Sequence, residues 1–190
     1  MSSGTQAKRI AILAQKGENI FHIKDLANLW NIQDPKTLRV TLKRYADAGL
    51  LYRIYRGFYS SLPLERLTSK EVGAKALHAY CYLSTETVLF ESGHISQKPQ
   101  YITFVSSKHK TFTVGGENYL SRQLKNAFLY NSEGILVQNG MRIATPERAI
   151  ADLLYFNPVA SFDKKVDWKA VRALQKKIGY TLTPLRYAAS

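Results

Sequence analysis

The stretch Asp34-Pro35-Lys36-Thr37-Leu38-Arg39-Val40-Thr41-Leu42-Lys43-Arg44-Tyr45-Ala46-Asp47-Ala48-Gly49 decides how the first third of the chain folds. Asp34 is a strong N-cap residue. Pro35 suits the first helical position, where its missing N–H is not needed and its fixed φ is already helical. Leu38, Leu42 and Tyr45 recur at helical spacing and form one apolar stripe. Gly49 stops the helix after its last turn. At about 100° per residue, the face opposite Leu38 and Leu42 is centred on Lys36, Val40 and Lys43, with Thr37, Arg39 and Arg44 at its flanks. The spacing predicts a helix with an apolar inner side and a cationic outer side.

Reading outward from this helix, Ile10, Leu13 and Ala14 repeat at helical spacing between Thr5 and Lys16. A second helix is expected over Phe21 to Trp30, with Ile23, Leu26, Ala27 and Trp30 on one face. Asn31 falls where the chain must turn, and Asn tolerates the left-handed conformation better than most residues. Downstream, Leu51-Tyr52-Arg53-Ile54-Tyr55-Arg56-Gly57-Phe58-Tyr59 reads as two short strands around Arg56-Gly57. Three helices followed by a hairpin is the order of a winged helix-turn-helix. In such a motif Lys36, Thr37, Arg39 and Val40 would approach base edges, and Lys43 and Arg44 would reach bases or phosphates. Arg53 and Arg56, on the wing, would meet phosphates or the adjacent minor groove. Each charge alone is equally an ordinary solvated position. Six basic residues around one motif favour double-stranded DNA.

The overall charge agrees. Twenty-seven Lys and Arg against fourteen Asp and Glu give +13 and a pI near 9.8, a balance that favours a polyanionic partner. With 190 residues the chain fits one compact domain or two small ones. Residues 1–60 carry ten basic and four acidic residues, net +6, and the remaining residues carry seventeen and ten, net +7, so the charge is denser at the start. Ser60-Ser61-Leu62-Pro63-Leu64 is the expected boundary, because Pro63 interrupts regular structure and restricts Leu62. Residues 1–62 are accordingly read as a winged helix-turn-helix DNA-binding domain and 63–190 as an α+β domain. An apolar content of 45% and a charged content of 22% exclude disordered, collagen-like and disulfide-stapled classes. No apolar run approaches the roughly 18 residues of a membrane helix, and the polar start, Met1 to Gln6, shows no secretory signal. A single cysteine, Cys81, fits a reducing cytosol, and a cytoplasmic location is expected.

The second part reads as helices packed on a small antiparallel sheet. Thr68-Ser69-Lys70-Glu71 is a capping box opening a helix through about Tyr80, and Ser84 is expected to cap a short helix over Thr85 to Ser92. Strand-like runs follow at Tyr101 to Val105, Thr111 to Val114, Phe128 to Tyr130 and Ile135 to Gln138. Thr145-Pro146 starts a helix whose Ala149, Ile150, Leu153 and Leu154 are expected to be buried. A last helix, Asp167 to Lys177, turns Val171, Leu174 and Ile178 inward and ends at Gly179. No catalytic, metal or cofactor site is expected. His22, His78, His94 and His109 show no metal-ligand spacing, and structural roles are expected for them. Gly115-Gly116 lacks the Gly-Lys-Ser/Thr ending of a phosphate loop. Glu147 and Asp152 lie too far around one helix to pair, and Cys81 reads as a small buried hydrophobe.

Two segments carry a family resemblance. The stretch IFHIKDLANLWNIQDPKTLRVTLKRYADAGLLYRIYRGFYSSLP (20–63) resembles the N-terminal winged helix of AbiEi-type antitoxins of abortive-infection, type IV toxin–antitoxin systems. YLSTETVLFESGHISQKPQYITFVSS (82–107) and RIATPERAIADLL (142–154) resemble that family's second domain. Its pattern falls on Ser84, Gly93, Pro99 and Pro146-Glu147-Arg148-Ala149, and the likeness covers roughly residues 8–158. It implies an antitoxin that also represses its operon by binding inverted repeats, and that neutralises a nucleotidyltransferase-like toxin. His22 and Asn31 depart from the family's Ser/Thr cap and turn Gly. No heptad specifies a dimer, so a monomer that pairs on DNA is expected. Two other readings stay open. One is a winged-helix regulator with a ligand- or partner-sensing C-terminal domain, and the other is an enzyme docked on nucleic acid.

Overall fold

In the computed structural model residues 3–184 are described, and the chain divides into two units between His78 and Ala79. The class is α+β, with eight α-helices among the described residues, one small antiparallel sheet and one mixed sheet.

In the N-terminal unit, helix α1 (Ser3–Gln15) leads to strand β1 (Ile20–His22), helices α2 (Ile23–Leu29) and α3 (Pro35–Asp47), and strands β2 (Tyr52–Tyr55) and β3 (Phe58–Ser60). A 3-10 turn at Leu64–Arg66 and helix α4 (Ser69–Leu77) complete it. One apolar cluster holds these elements together: Leu13, Phe21, Leu26, Trp30, Ile32, Leu38, Leu42, Tyr45 and Leu51. The Trp30 indole N–H donates to the Arg9 carbonyl at 3.2 Å, fixing α1 on α2. Ala14, expected inside, is exposed, and Leu13 alone of that trio is fully buried.

Phe21 does not open a helix. It pairs with Tyr59 in a three-stranded antiparallel sheet of order β1-β3-β2, and helix α2 begins only at Ile23. Strand pairing with β3 overrides the helical spacing of Phe21, an interaction local periodicity does not contain. The boundary also moves beyond Pro63. Helix α4 buries Val72 and Ala76 and packs against β1, so it belongs to the N-terminal unit. Its capping box forms as expected: Thr68 accepts the Glu71 N–H at 3.2 Å, and Glu71 accepts the Thr68 N–H at 3.1 Å.

The C-terminal unit contains β4 (Cys81–Leu83), α5 (Thr85–Glu91), β5 (Ile102–Ser106), β6 (Lys110–Val114), β7 (Glu117–Gln123) and α6 (Asn126–Leu129). It continues with β8 (Ile135–Gln138), β9 (Met141–Ala144), α7 (Pro146–Phe156) and α8 (Trp168–Ile178). The expected small antiparallel sheet is instead six-stranded and mixed, ordered β6-β7-β5-β4-β9-β8, with parallel pairs β5–β7 and β4–β9. Three of its strands are not expected from sequence: β4 is only three residues long and buried throughout, β7 is largely polar, and β9 is a four-residue segment, Met-Arg-Ile-Ala. Phe128 to Tyr130, expected as a strand, lies at the end of α6. Ser84 holds the N-cap position of α5 without capping it, and its hydroxyl donates to Asp152 Oδ2 at 2.8 Å. Thr103 on β5 takes over, accepting the Thr87 N–H at 3.0 Å and donating to the Ser84 carbonyl at 2.7 Å.

Helices α7 and α8 follow their caps. Thr145 accepts the Arg148 N–H and Asp167 accepts the Ala170 N–H. Ala149, Ile150, Leu153 and Leu154 are buried, as are Val171 and Ile178, while Leu174 is half-buried. On the inner side of α7 sits a fully buried charge, Arg148. Its Nε donates to Asp152 Oδ1 at 2.9 Å, and its terminal nitrogens donate to Tyr82 Oη and to the carbonyls of Phe128, Asn131 and Glu133. The Tyr180 hydroxyl donates to the same Asp152 oxygen at 2.6 Å. Burial works against the Arg148 charge, but Asp152 and the two tyrosine oxygens outweigh it and raise its pKa. Both phenols are pushed far above their ordinary value, by burial first and Asp152 second.

Removing one partner of a buried ion pair strands the other charge. Asp152→Ala should therefore destabilise the protein by about 3–5 kcal/mol, measured by urea unfolding. A loss below about 1 kcal/mol would show that Arg148 does not depend on Asp152.

Candidate nucleic-acid interface

Helix α3 is fixed at its start by a dense cap. The Asp34 carboxylate accepts the N–H groups of Lys36 at 3.3 Å and Thr37 at 2.8 Å, and the Thr37 hydroxyl at 2.6 Å. These bonds favour the charged form, so its pKa falls below 3.8, with the Thr37 hydroxyl the largest cause and the backbone N–H groups next. Three residues of the helix, Leu38, Leu42 and Tyr45, face the core as the spacing required, joined by Thr41.

The opposite side carries Lys36, Thr37, Arg39, Val40, Lys43 and Arg44, all exposed. Val40, at the centre of that side, is 67% exposed. Thr37 differs from the rest, because its hydroxyl proton is already committed to Asp34 and only its acceptor capacity and methyl group face outward. The Arg44 guanidinium lies over the Tyr45 ring, 6.0 Å from its centre.

Beside the helix in sequence, the β2–β3 hairpin carries Arg53 and Arg56, both exposed. The register shifts between Arg53 and Tyr55, a bulge that twists the strand locally. Gly57 turns the hairpin at φ +74 and its carbonyl accepts the Ile23 N–H at 2.7 Å, which ties the hairpin to the start of α2. A Cβ there would stand 3.4 Å from His22 Nε2, so the turn is close against that ring.

His22 and Asn31 act as a helix cap and a turn residue. His22 Nδ1 accepts the Lys24 N–H at 3.3 Å and its own N–H donates to Asp25 Oδ2 at 3.1 Å, a reciprocal capping box. Asn31 takes φ 51 at the turn before α3. Burial, then the neighbouring His78, lowers the pKa of the His22 ring.

The histidines include one grouping that sequence spacing does not reveal. The ligand atoms of His22, Asp25 and His78 lie within 4.8 Å of one another. Their separation in sequence hides this, since His78 joins the group only because α4 docks on β1. His94, by contrast, is nearly buried and its Nδ1 lies 2.9 Å from the Ser92 hydroxyl, a structural role. Among the described residues no helix is long and apolar enough to cross a membrane. No protein-family profile matches the chain, and no curated protein matches it either.

The cap on α3 has a pH signature. The folded-state pKa of Asp34 is depressed, so its contribution to stability is present above the unfolded value and is lost as pH falls through the folded one. Asp34→Ala should lower the melting temperature near pH 7, and the gap to wild type should close as pH falls below the ordinary aspartate value and through the depressed folded one. A gap that persists unchanged at the acid end would assign the effect to something other than the carboxylate.

Proposed function

We propose that the N-terminal unit is a winged helix-turn-helix that binds double-stranded operator DNA, with α3 as the recognition helix and β2–β3 as the wing. The observation that carries this reading is the outer side of α3. Lys36, Arg39, Lys43 and Arg44 are exposed together around an exposed Val40, while the inner side is buried. A helix of this kind offers cations to phosphates and base edges, and an apolar methyl surface to thymine. Arg53 and Arg56 add charge on the hairpin.

The chain as a whole is read as the antitoxin of an AbiE-like, type IV toxin–antitoxin phage-defence system that represses its own operon. This part rests on the resemblance of residues 82–107 and 142–154. The structure gives those motifs a physical content, since Ser84 and Arg148 both bond to Asp152 in the interior of the C-terminal unit. They mark a requirement of the fold, and no residue of the unit is assigned to toxin neutralisation. The reading includes no catalytic step, and places the protein in the cytoplasm as a monomer that pairs on inverted repeats.

One observation favours a ligand-sensing regulator as a second reading. The C-terminal unit has a cleft of about 300 Å³ lined by Ala151, Leu154, Tyr155, Pro158, Gln175 and Tyr180, together with Thr181 to Pro184.

An anisotropy titration tests the first reading, using the duplex upstream of the gene against a scrambled one at about 0.15 M salt. A preference of about a hundredfold or more is expected, and equal weak binding overturns specific repression. Arg39→Ala should cost about 1–3 kcal/mol on the cognate duplex alone if it reads a base. Lys43→Ala should weaken binding to every duplex and reduce the salt slope by about one. Co-expression with a neighbouring nucleotidyltransferase-like toxin should restore growth, and continued toxicity would leave the regulator reading.

A further inference from the structure

We propose that His22, Asp25 and His78 form a binding site for one divalent zinc-class ion within the N-terminal unit. The reading is independent of DNA binding and goes beyond it.

Three donor groups converge from β1, α2 and the end of α4. His22 ends β1 and caps α2, Asp25 is the third residue of α2, and His78 ends α4. Their ligand atoms lie within 4.8 Å of one another, and the two imidazole rings face each other with centres 4.2 Å apart and planes at 33°. Zinc bonds of about 2.0–2.2 Å in a tetrahedron place ligand atoms about 3.3–3.5 Å apart, so the three groups need to close by at most about 1.5 Å. Asp25 and His78 are exposed and supply that movement from their side chains, while His22 is half-buried and fixed.

The backbone positions are set in advance. His22 and Asp25 are locked to each other by the reciprocal cap. His78 takes the left-handed conformation, φ 47, at the end of α4, with its N–H on the Lys75 carbonyl at 3.0 Å. That helix end also carries the partial negative charge of the α4 dipole, which favours a cation. The His78 ring makes no hydrogen bond among the described residues, which leaves both of its nitrogens available.

The donor chemistry selects the metal class. Two imidazoles and one carboxylate suit zinc and its first-row neighbours, whereas magnesium and calcium require more oxygen ligands than this cluster offers. Three protein ligands leave a fourth position for water. Ligation carries a defined cost. An ion on His22 Nδ1 displaces the Lys24 N–H directly, and an ion on Nε2 moves the ring proton to Nδ1 and releases that N–H to solvent. The bond given up is a long one, 3.3 Å. Asp25 keeps its half of the cap, since a carboxylate has a second oxygen for the metal.

Bound metal would join the end of α4 to the β1–α2 junction, and would stabilise the unit by mass action. The test uses the full chain stripped with chelator and then titrated with zinc chloride by calorimetry. Cobalt(II) absorbance and melting temperature provide second readouts. One ion per chain is expected, with tetrahedral cobalt bands and a higher melting temperature. His78→Asn keeps a residue that tolerates the left-handed conformation, and Asp25→Asn keeps an acceptor for the His22 N–H. Both should fold as the metal-free wild type does and weaken zinc binding about tenfold or more. Absence of saturable binding by the wild-type chain overturns the proposal. Binding that both variants retain at full strength also overturns it, and places the ion on other histidines.

Discussion

The C-terminal unit is organised around a guanidinium that solvent does not reach. An isolated charge in such a place costs several kcal/mol, and geometry alone makes it tolerable. Arg148 offers five N–H donors in a rigid fork, and five acceptors surround it: Asp152, Tyr82 and the carbonyls of Phe128, Asn131 and Glu133. Asp152 stands one turn further along α7, the spacing at which two helical side chains meet. The carbonyls bend the α6–β8 connection around the fork, Tyr82 brings β4, and Tyr180 brings the chain that follows α8. The same closeness explains Gly134. A Cβ there would lie 2.9 Å from the Arg148 Cβ, at a φ of +70 that side chains rarely adopt.

The N-terminal unit solves the opposite problem. Its core is apolar and its elements are short, so position depends on caps and turns: Asp34 for α3, His22 with Asp25 for α2, Thr68 with Glu71 for α4. What it exposes is costly for an isolated protein. On α3, Lys36 and Arg39 are three residues apart and Arg39 and Lys43 four, and like charges at those spacings destabilise a helix by a few tenths of a kcal/mol each. No acidic residue stands between Asp34 and Asp47 to relieve them. Val40 adds an apolar surface to water at the centre of the same side. The DNA partner proposed for this unit would offset that repulsion with its phosphates.

The parts legible in sequence are those controlled by neighbours a few residues away. Asp34-Pro35, Thr145-Pro146 and Asp167 mark helix starts, and Asn31 and Gly179 mark left-handed ends, because caps and turns act over three or four residues. The six basic residues of α3 and the hairpin were all placed at the surface by the same local logic. What sequence hides is pairing at a distance. Strand β7 reads Glu-Asn-Tyr-Leu-Ser-Arg-Gln and is a strand only because β5 and β6 flank it. Ser84 looks like a cap until Asp152, sixty-eight residues later, claims its hydroxyl. Asp25 and His78 meet only once α4 has docked, and no spacing rule spans that gap.

Redrawing the boundary also changes how the charge is understood. Residues 1–78 carry thirteen basic and six acidic residues, net +7, and residues 79–190 carry fourteen and eight, net +6. Net charge therefore barely separates the units. Arrangement separates them. Six of the thirteen cations in the N-terminal unit lie on α3 and the hairpin, all exposed. In the C-terminal unit one cation, Arg148, is consumed in the interior and another, Arg122, pairs with Glu86. At physiological salt a charge is felt over about 8 Å, so binding responds to a local cluster and not to the sum over the chain. On the proposed reading, a polyanion docking on α3 and the hairpin responds first to these six exposed cations.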